Sequence, residues 1–231
     1  HNEFSKTEIL KSNNFNLPKI KIVPHGNYIP FIDIQKDKFV SREKLGIPKN
    51  KKVLLFFGMI KKVKGLEILL KALAKVKEKH TDISLLIAGK VWENDFGPYQ
   101  EIIDKSNLQE FCFLHTKFIP NVDVAHYYCA SDLVVLPYKK IYQSGVLMMA
   151  LSFKKAVLVS NLPPLKEIIT DNENGFLFET DNDEDLARKI NFILEDKEQL
   201  EKVIQKGFEL IKSKYSWEKI GSKTKETYQT L

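Results

Sequence analysis

Short apolar runs alternate with amphipathic segments along most of the chain. The apolar runs predict strands at residues 20–23, 53–57, 83–88, 111–114, 132–136, 156–159 and 175–178. Apolar residues at helical spacing predict helices at residues 41–45, 66–79, 99–105, 121–129, 145–153 and 164–169. From residue 183 the chain is predicted to be all helix, with breaks near Asp196 and Lys214. Because the strands are uniformly apolar and alternate with helices, we expect an α/β fold, a Rossmann-like parallel sheet with helices on both faces and a helical C-terminal tail.

The beginning of the chain is predicted to be helical as well. Ser5-Lys6-Thr7-Glu8 has the capping-box pattern that opens a helix, so we expect a helix to start at Ser5. The first residue is His1 rather than methionine, and we therefore expect this chain to be a piece of a longer protein.

Residues 57–66 hold the most informative local pattern. The apolar strand ends at Gly58, a short loop with Lys61 and Lys64 follows, and Gly65 precedes an amphipathic helix. Glycine lets an anion approach the backbone, a helix N-terminus carries partial positive charge, and lysine adds a full charge. The pattern favours a phosphate site, and an ordinary strand–helix turn with solvated lysines is the alternative that these residues leave open.

Ligands of such sheets bind at the carboxyl ends of the strands, so the loops that follow the strands form the candidate site. These loops carry lysines, hydroxyls and glycines: Gly58, Lys61, Lys64, Gly89, Lys90, His115, Thr116, Lys117, Phe118, Tyr138, Lys139, Lys140, Gln143, Ser144, Gly145, Ser160 and Asn161. This set suits a polyphosphate, and it lacks the acidic cluster that a metal would need, so we expect no metal cofactor.

Composition indicates which kinds of ligand and which cellular compartment suit this chain. The 231 residues carry a net charge of +6, which favours anionic ligands, but the basic residues are scattered among acids and match no nucleic-acid motif. We therefore expect no nucleic-acid partner. Cys112 and Cys129 lie in apolar segments without metal spacing, and they indicate reduced thiols in a cytoplasmic protein. The sequence contains no signal-peptide pattern and no apolar run that would span a bilayer.

Several motifs occur in an order that resembles one known family. They are Pro24-His25-Gly26, residues 57–66, Ala130-Ser131-Asp132 with its strand ending at Pro137, Gln143-Ser144-Gly145-Val146-Leu147, residues 165–169, residues 174–177 and Tyr215-Ser216-Trp217. From about residue 20 to residue 231, the chain resembles the C-terminal, donor-binding domain of a GT-B fold glycosyltransferase, of the retaining kind in glycosyltransferase family 4. The individual motifs are weak, and their order and spacing carry the resemblance.

The resemblance implies a nucleotide diphosphate sugar as donor substrate. Lys61 and Lys64 would hold its diphosphate and act as catalytic residues, because they would stabilise the charge that builds on the leaving group. The implied donor-binding residues are Gly58, Met59, Lys117, Phe118, Lys139, Gln143, Ser144, Gly145, Val146, Met149 and Glu167. Within this set, the amides of Ser144, Gly145 and Val146 would bind phosphate at a helix N-terminus.

The resemblance also implies a domain organisation, an acceptor and a cellular location. Residues 1–17 would be the remnant of an N-terminal acceptor domain and its linker helix, residues 18–214 the donor domain, and residues 215–231 a helix that crosses back. The sugar would pass, with retention, to a saccharide or lipid-linked acceptor in polysaccharide biosynthesis. We expect a cytoplasmic hexosyltransferase that contacts the inner membrane peripherally, and little or no transfer by this piece without the acceptor domain.

The chain departs from the family pattern at two glutamates that many members carry. The corresponding positions fall near Ile141 and on Met149, and neither is acidic. This departure leaves a second interpretation open, a degenerate, non-catalytic module that binds nucleotide sugar or assembles with a partner transferase. A third, a different Rossmann-like enzyme such as an epimerase or a dehydrogenase, is disfavoured because the first strand lacks a Gly-x-Gly-x-x-Gly turn.

Overall fold

The computed structural model describes residues 2–12 and 20–230, and it confirms the predicted α/β class. The strands are β1 (Lys52–Phe57), β2 (Ile83–Ala88), β3 (Cys112–His115), β4 (Leu133–Leu136), β5 (Ala156–Ser160) and β6 (Phe176–Phe178). The helices are α1 (Glu3–Ser12), α2 (Lys38–Lys44), α3 (Leu66–Val76), α4 (Gly97–Lys105), α5 (Asn121–Ala130), α6 (Gly145–Ser152), α7 (Pro163–Lys166), α8 (Asp183–Glu195), α9 (Lys197–Lys214) and α10 (Trp217–Gln229). The predicted helix breaks near Asp196 and Lys214 are confirmed.

All six strands of the described sheet pair in parallel, in the order β3-β2-β1-β4-β5-β6. The chain moves outward from β1 through β2 to β3, and then returns to place β4 on the other side of β1. The order therefore reverses between β1 and β4, which makes a crevice at the carboxyl ends of these two strands. Phe57 ends β1 and Leu136 ends β4, so the loops that follow these residues border the crevice.

The core lies in two layers, one on each face of the sheet. Leu54 of β1 is buried in the layer with α3, α4 and α8, and its neighbour Leu55 is buried in the layer with α5, α6 and α9. Side chains alternate between faces along a strand, so a strand covered on both faces needs apolar residues at every position. This requirement is why the central strands read as continuous apolar runs in the sequence.

A buried charge network lies at the amino ends of β1 and β4. Arg42 of α2 is 2% exposed, and its guanidinium donates to the Asp132 carboxylate, with 2.7 Å between Nη2 and Oδ2. The same guanidinium donates to the carbonyl oxygens of Ala130 and Lys49. Asp132 also accepts from the backbone amide of Val53 at 2.7 Å, so one carboxylate ties α2 to the start of β1.

Two predictions about the beginning of the chain are wrong. Residues 20–23 pair with no strand of the described sheet, and a strand exists only where its backbone pairs; Asn27, which follows them, is instead bonded to α9 and to the residue after it. The first helix starts at Glu3 rather than Ser5, since the Asn2 side chain accepts from the Ser5 amide and takes the capping role. The predicted boundary at residue 17 lies outside the described residues.

In the described part of the chain, no helix combines the length and the apolar character needed to cross a membrane.

Candidate functional site

The loops after β1 and β4 are packed tightly against each other at the crevice. Gly65 has a φ of +67°, and a Cβ on it would lie 1.9 Å from the carbonyl oxygen of Pro137. The amide of Lys139 donates to the Val63 carbonyl at 2.9 Å, which joins the two loops through their backbones. Glycine is needed at position 65 because both the left-handed backbone and the contact exclude a side chain.

Gly58 opens the loop after β1 beside the N-terminal turn of α6. Its φ is +108°, and a Cβ built on it would lie 3.4 Å from a methyl group of Val146. Gly89, after β2, packs more closely still, because a Cβ built on it would lie 1.9 Å from the carbonyl oxygen of Gly58. The structure therefore brings Gly58, Val146 and the glycine turn after β2 to one place, as the positions of these residues at strand ends predict.

Lys64 lies at the centre of this arrangement and has an unusual environment. Its Nζ is 3.8 Å from the ring centroid of the buried Tyr138, and it forms no ion pair with the described residues. Burial, and secondly the charge of Lys61, lower the pKa of Lys64 to about 8. Burial raises the pKa of Tyr138 to about 12, so the ring beneath the ammonium stays neutral. An ammonium that is partly buried without a carboxylate suits an anionic ligand.

Lys61 also has an aromatic partner, which the sequence does not predict. Its Nζ lies 3.8 Å from the ring centroid of Trp92, which follows β2. The ring is 50% exposed, and nothing in the local pattern after Gly89 indicates that it faces a lysine from another loop. Like Lys64, Lys61 makes no ion pair within residues 2–12 and 20–230.

The N-terminus of α6 offers free backbone donors. Ser144 caps the helix, since its hydroxyl oxygen accepts from the amide of Leu147 at 3.1 Å. The amides of Gly145 and Val146 donate to no acceptor in the described part of the structure. Unaccepted amides at the positive end of a helix can bind an anion, and Val146 lies beside Gly58.

Lys139 differs from the other two lysines because two carboxylates compensate its positive charge. Its Nζ lies 2.7 Å from the Glu67 carboxylate and 3.2 Å from the Asp181 carboxylate. Hydrogen bonding to Glu67 is the main cause that raises the pKa of Lys139 above its usual value. The predicted donor contact of Lys139 would require this ion pair to open.

Gln143 and Glu167 lie together on the other side of the α6 N-terminus. With Ser144 and His25 they line a cavity of about 150 Å³. The Glu167 carboxylate accepts from the amides of Glu3 at 3.0 Å and Phe4 at 2.8 Å, so it caps α1. This role for Glu167 did not follow from the sequence, because the two partners are more than 160 residues apart.

The remaining predicted residues are spread along the same sheet edge. Lys117 and Phe118 follow β3, two strands away from β1, and Phe118 is 72% exposed. Met59 lines a cavity with Lys90 and Trp92, whereas Met149 lines a different cavity with residues of the loop around Phe31. The donor contacts of these four residues stay predictions.

Among the residues that the structure describes, there is no group of three or more His, Cys, Asp or Glu side chains placed to hold a metal ion.

Comparison with known proteins shows which family and which proteins this chain is similar to. Residues 37–210 match the model of the family described as glycosyl transferases group 1. An uncharacterized glycosyltransferase of Methanocaldococcus jannaschii is 26% identical over 230 residues, which cover 93% of this chain and 55% of that protein. The chain spans about half the length of the curated relatives that it matches.

Two solved structures have the same fold. A glycosyltransferase from Rickettsia africae has a TM-score of 0.84 at 22% identity, covering 99% of this chain and 61% of that one. The Anabaena protein HepE, solved in complex with UDP-glucose, has a TM-score of 0.79 at 20% identity, covering 91% of this chain and 57% of that one. The predicted architecture, half of a GT-B fold, is thereby confirmed.

Proposed function

The chain belongs to the glycosyl transferases group 1 family, and on that premise we propose that it is the donor-binding domain of a retaining, family 4 type hexosyltransferase. Its donor would be a nucleoside diphosphate sugar bound in the crevice between β1 and β4. The sugar would be transferred with retention to a saccharide or lipid-linked acceptor. Because the chain spans about half of its relatives, the acceptor site would belong to the part of the protein outside this sequence.

One observation carries the donor proposal: Lys64 lies at the switch point, partly buried and without a carboxylate partner in the described structure. A buried ammonium without a counterion is costly, and the cost is recovered when an anion binds. The free amides of Gly145 and Val146 supply further donors from α6. Together these groups would stabilise the negative charge that develops on the diphosphate as the glycosidic bond breaks.

The UDP-glucose in the HepE structure supports a uridine nucleotide as the first donor to test. The net charge of +6 supports an anionic or lipid-linked acceptor and a peripheral contact with the cytoplasmic face of a membrane. The lysines and the helix N-terminus would together supply the positive charge that other transferases obtain from a metal, so metal is proposed to be dispensable.

The first experiment is thermal unfolding of this chain with UDP, GDP, ADP, CMP or NAD at equal concentrations, with and without EDTA. We expect one nucleoside diphosphate to raise the unfolding temperature, because a ligand at about 100 times its Kd stabilises the fold by about 2.7 kcal/mol. EDTA should leave this shift unchanged. A shift that requires added metal would contradict the metal-free proposal, and no shift with any nucleotide would favour the non-catalytic assembly module.

Nucleotide affinity should fall as the pH rises through the pKa of Lys64. The protonated amine binds phosphate, and its pKa of about 8 in the free protein means that the charge is lost above this pH. From about pH 7.5 to about pH 9.5 we expect roughly tenfold weaker binding by calorimetry. Lys64→Arg should remove this dependence, since a guanidinium stays charged. An unchanged pH profile in the arginine variant would assign the titration to another group.

A further inference from the structure

We propose that Trp92 is a positioning residue that holds the Lys61 ammonium at the rim of the crevice, charged and available for the diphosphate of the donor. The proposal rests on the proposed function and assigns a role to a loop, the one after β2, that the family resemblance left without a residue at the site. The observation behind it is the distance of 3.8 Å between the Lys61 Nζ and the centroid of the Trp92 ring.

Hydrogen bonds hold the backbone of Trp92 in place independently of the lysine side chain. The amide of Trp92 donates to the carbonyl of Ile60 at 2.9 Å, and the amide of Ile60 donates to the carbonyl of Lys90 at 3.0 Å. Ile60 and Val91 thereby form an isolated parallel bridge, which extends the β1–β2 pairing beyond the ends of the strands. Because Ile60 is buried, this bridge anchors both loops to the core.

The indole is also held by its own polar atom. Its Nε1 donates to the Glu93 carboxylate at 3.0 Å. Glu93 has a φ of +60°, a left-handed conformation that a residue with a side chain rarely adopts, and such backbone persists only where its surroundings enforce it. The nearby carboxylate is thus bonded to the indole and forms no ion pair with Lys61 in the described structure.

An aromatic partner suits a lysine that must bind an anion. A ring face attracts a cation without neutralising it, whereas a carboxylate would have to be displaced by the ligand. The neighbouring Lys139 shows the other arrangement, since it is paired with Glu67 and Asp181. The charge of Lys61 also acts on Lys64, since it is the second cause, after burial, of the lowered pKa of Lys64. The Trp92 ring attracts the Lys61 ammonium without pairing it with an acid.

The test compares nucleoside diphosphate affinity, measured by calorimetry with UDP, ADP and GDP, for the unaltered chain and its variants. We expect Trp92→Leu to weaken binding about two- to fivefold and Trp92→Phe, which keeps a ring face, to weaken it less. Tyr228→Leu is the matched control, because Tyr228 is a 76% exposed aromatic residue on α10. This control should bind as the unaltered chain does.

A double-mutant cycle separates positioning from general structural damage. In a Lys61→Met background, Trp92→Leu should cause no further loss, because no ammonium remains to be positioned. The proton signals of the Lys61 ε-methylene group, read by NMR without nucleotide, should lie upfield from the ring current and return to ordinary values in Trp92→Leu.

Each outcome bears on one of the two proposals. Unaltered affinity in Trp92→Leu, or an equal loss with and without Lys61, would overturn the role of Trp92 while leaving the proposed function intact. If the unaltered chain binds none of the three nucleotides, the proposed function fails and the positioning role fails with it. An ordinary Lys61 methylene shift in the unaltered chain would overturn the contact itself.

Discussion

Replacing Lys64 by methionine is expected to weaken the binding of a nucleoside diphosphate by about 10- to 100-fold, because a hydrogen bond to a charged group in a partly dry site contributes about 1.5–3 kcal/mol. Lys64 lies over the Tyr138 ring with no carboxylate partner in the described structure. Methionine keeps most of the side-chain length and removes the charge. Isothermal titration calorimetry with the nucleotide that gives the thermal shift measures the effect.

The same replacement should leave the fold at least as stable, which distinguishes a binding role from a structural one. The folded-state pKa of Lys64, about 8, is below the ordinary lysine pKa of 10.5, so the unfolded chain binds more protons between these values. The stability of the unaltered chain should therefore gain a contribution as the pH rises through this range. In Lys64→Met this rise of stability with pH should be absent. Urea unfolding of both proteins at several pH values measures the difference.

Lys62 provides the matched control for Lys64. It lies in the same single turn between β1 and α3, but its side chain is exposed. Lys62→Met removes the same charge from the loop and should change nucleotide affinity by less than about threefold, since exposed charges are screened by solvent. Equal losses in the two variants would mean that general loop charge, rather than the placement of Lys64, attracts the ligand.

Replacing Asp132 by alanine is expected to destabilise the fold by about 3–5 kcal/mol, because it leaves a buried guanidinium without its counterion. Arg42 donates to Asp132 at 2.7 Å and is nearly inaccessible to solvent. Asp132 also accepts from the Val53 amide at the start of β1 and from the half-exposed Lys38 ammonium, so the substitution removes the acceptor of three donors. The free energy of unfolding in urea measures this loss.

Asp123 is the control for this second prediction. Its carboxylate pairs with Lys44 at 2.7 Å, but both side chains are substantially exposed. Asp123→Ala should cost less than about 1 kcal/mol, as exposed ion pairs usually do. If the two alanine variants lost similar free energy, the Arg42 network would be no more important than an ordinary surface pair.

Much of the fold could be predicted from the chain itself because a parallel sheet covered on both faces imposes a local signature. The continuous apolar run at residues 53–57 predicts β1, and the glycine and lysines after it predict a loop at the ligand-binding edge. The strand predicted at residues 20–23 is wrong for a related reason. Alternating apolar and polar residues suit a strand, but only pairing with the sheet makes one, and residues 20–23 pair with no strand of the described sheet.

The sequence by itself determined the order of elements from β1 onward and the placement of Gly58, Lys61 and Lys64 after a strand, at the ligand-binding edge of the sheet, because these follow from local periodicity and from the rule for parallel sheets. The strand order, and with it the switch point between β1 and β4, came only from the tertiary structure. Only the tertiary structure decided which partner each lysine has: Lys64 lies over Tyr138, Lys61 over Trp92, and Lys139 between two acids. The physical reason is that these partners approach through space from separate loops. Whether a lysine is paired with a carboxylate or lies against an aromatic ring depends on distances of a few ångströms between segments that local sequence patterns do not relate.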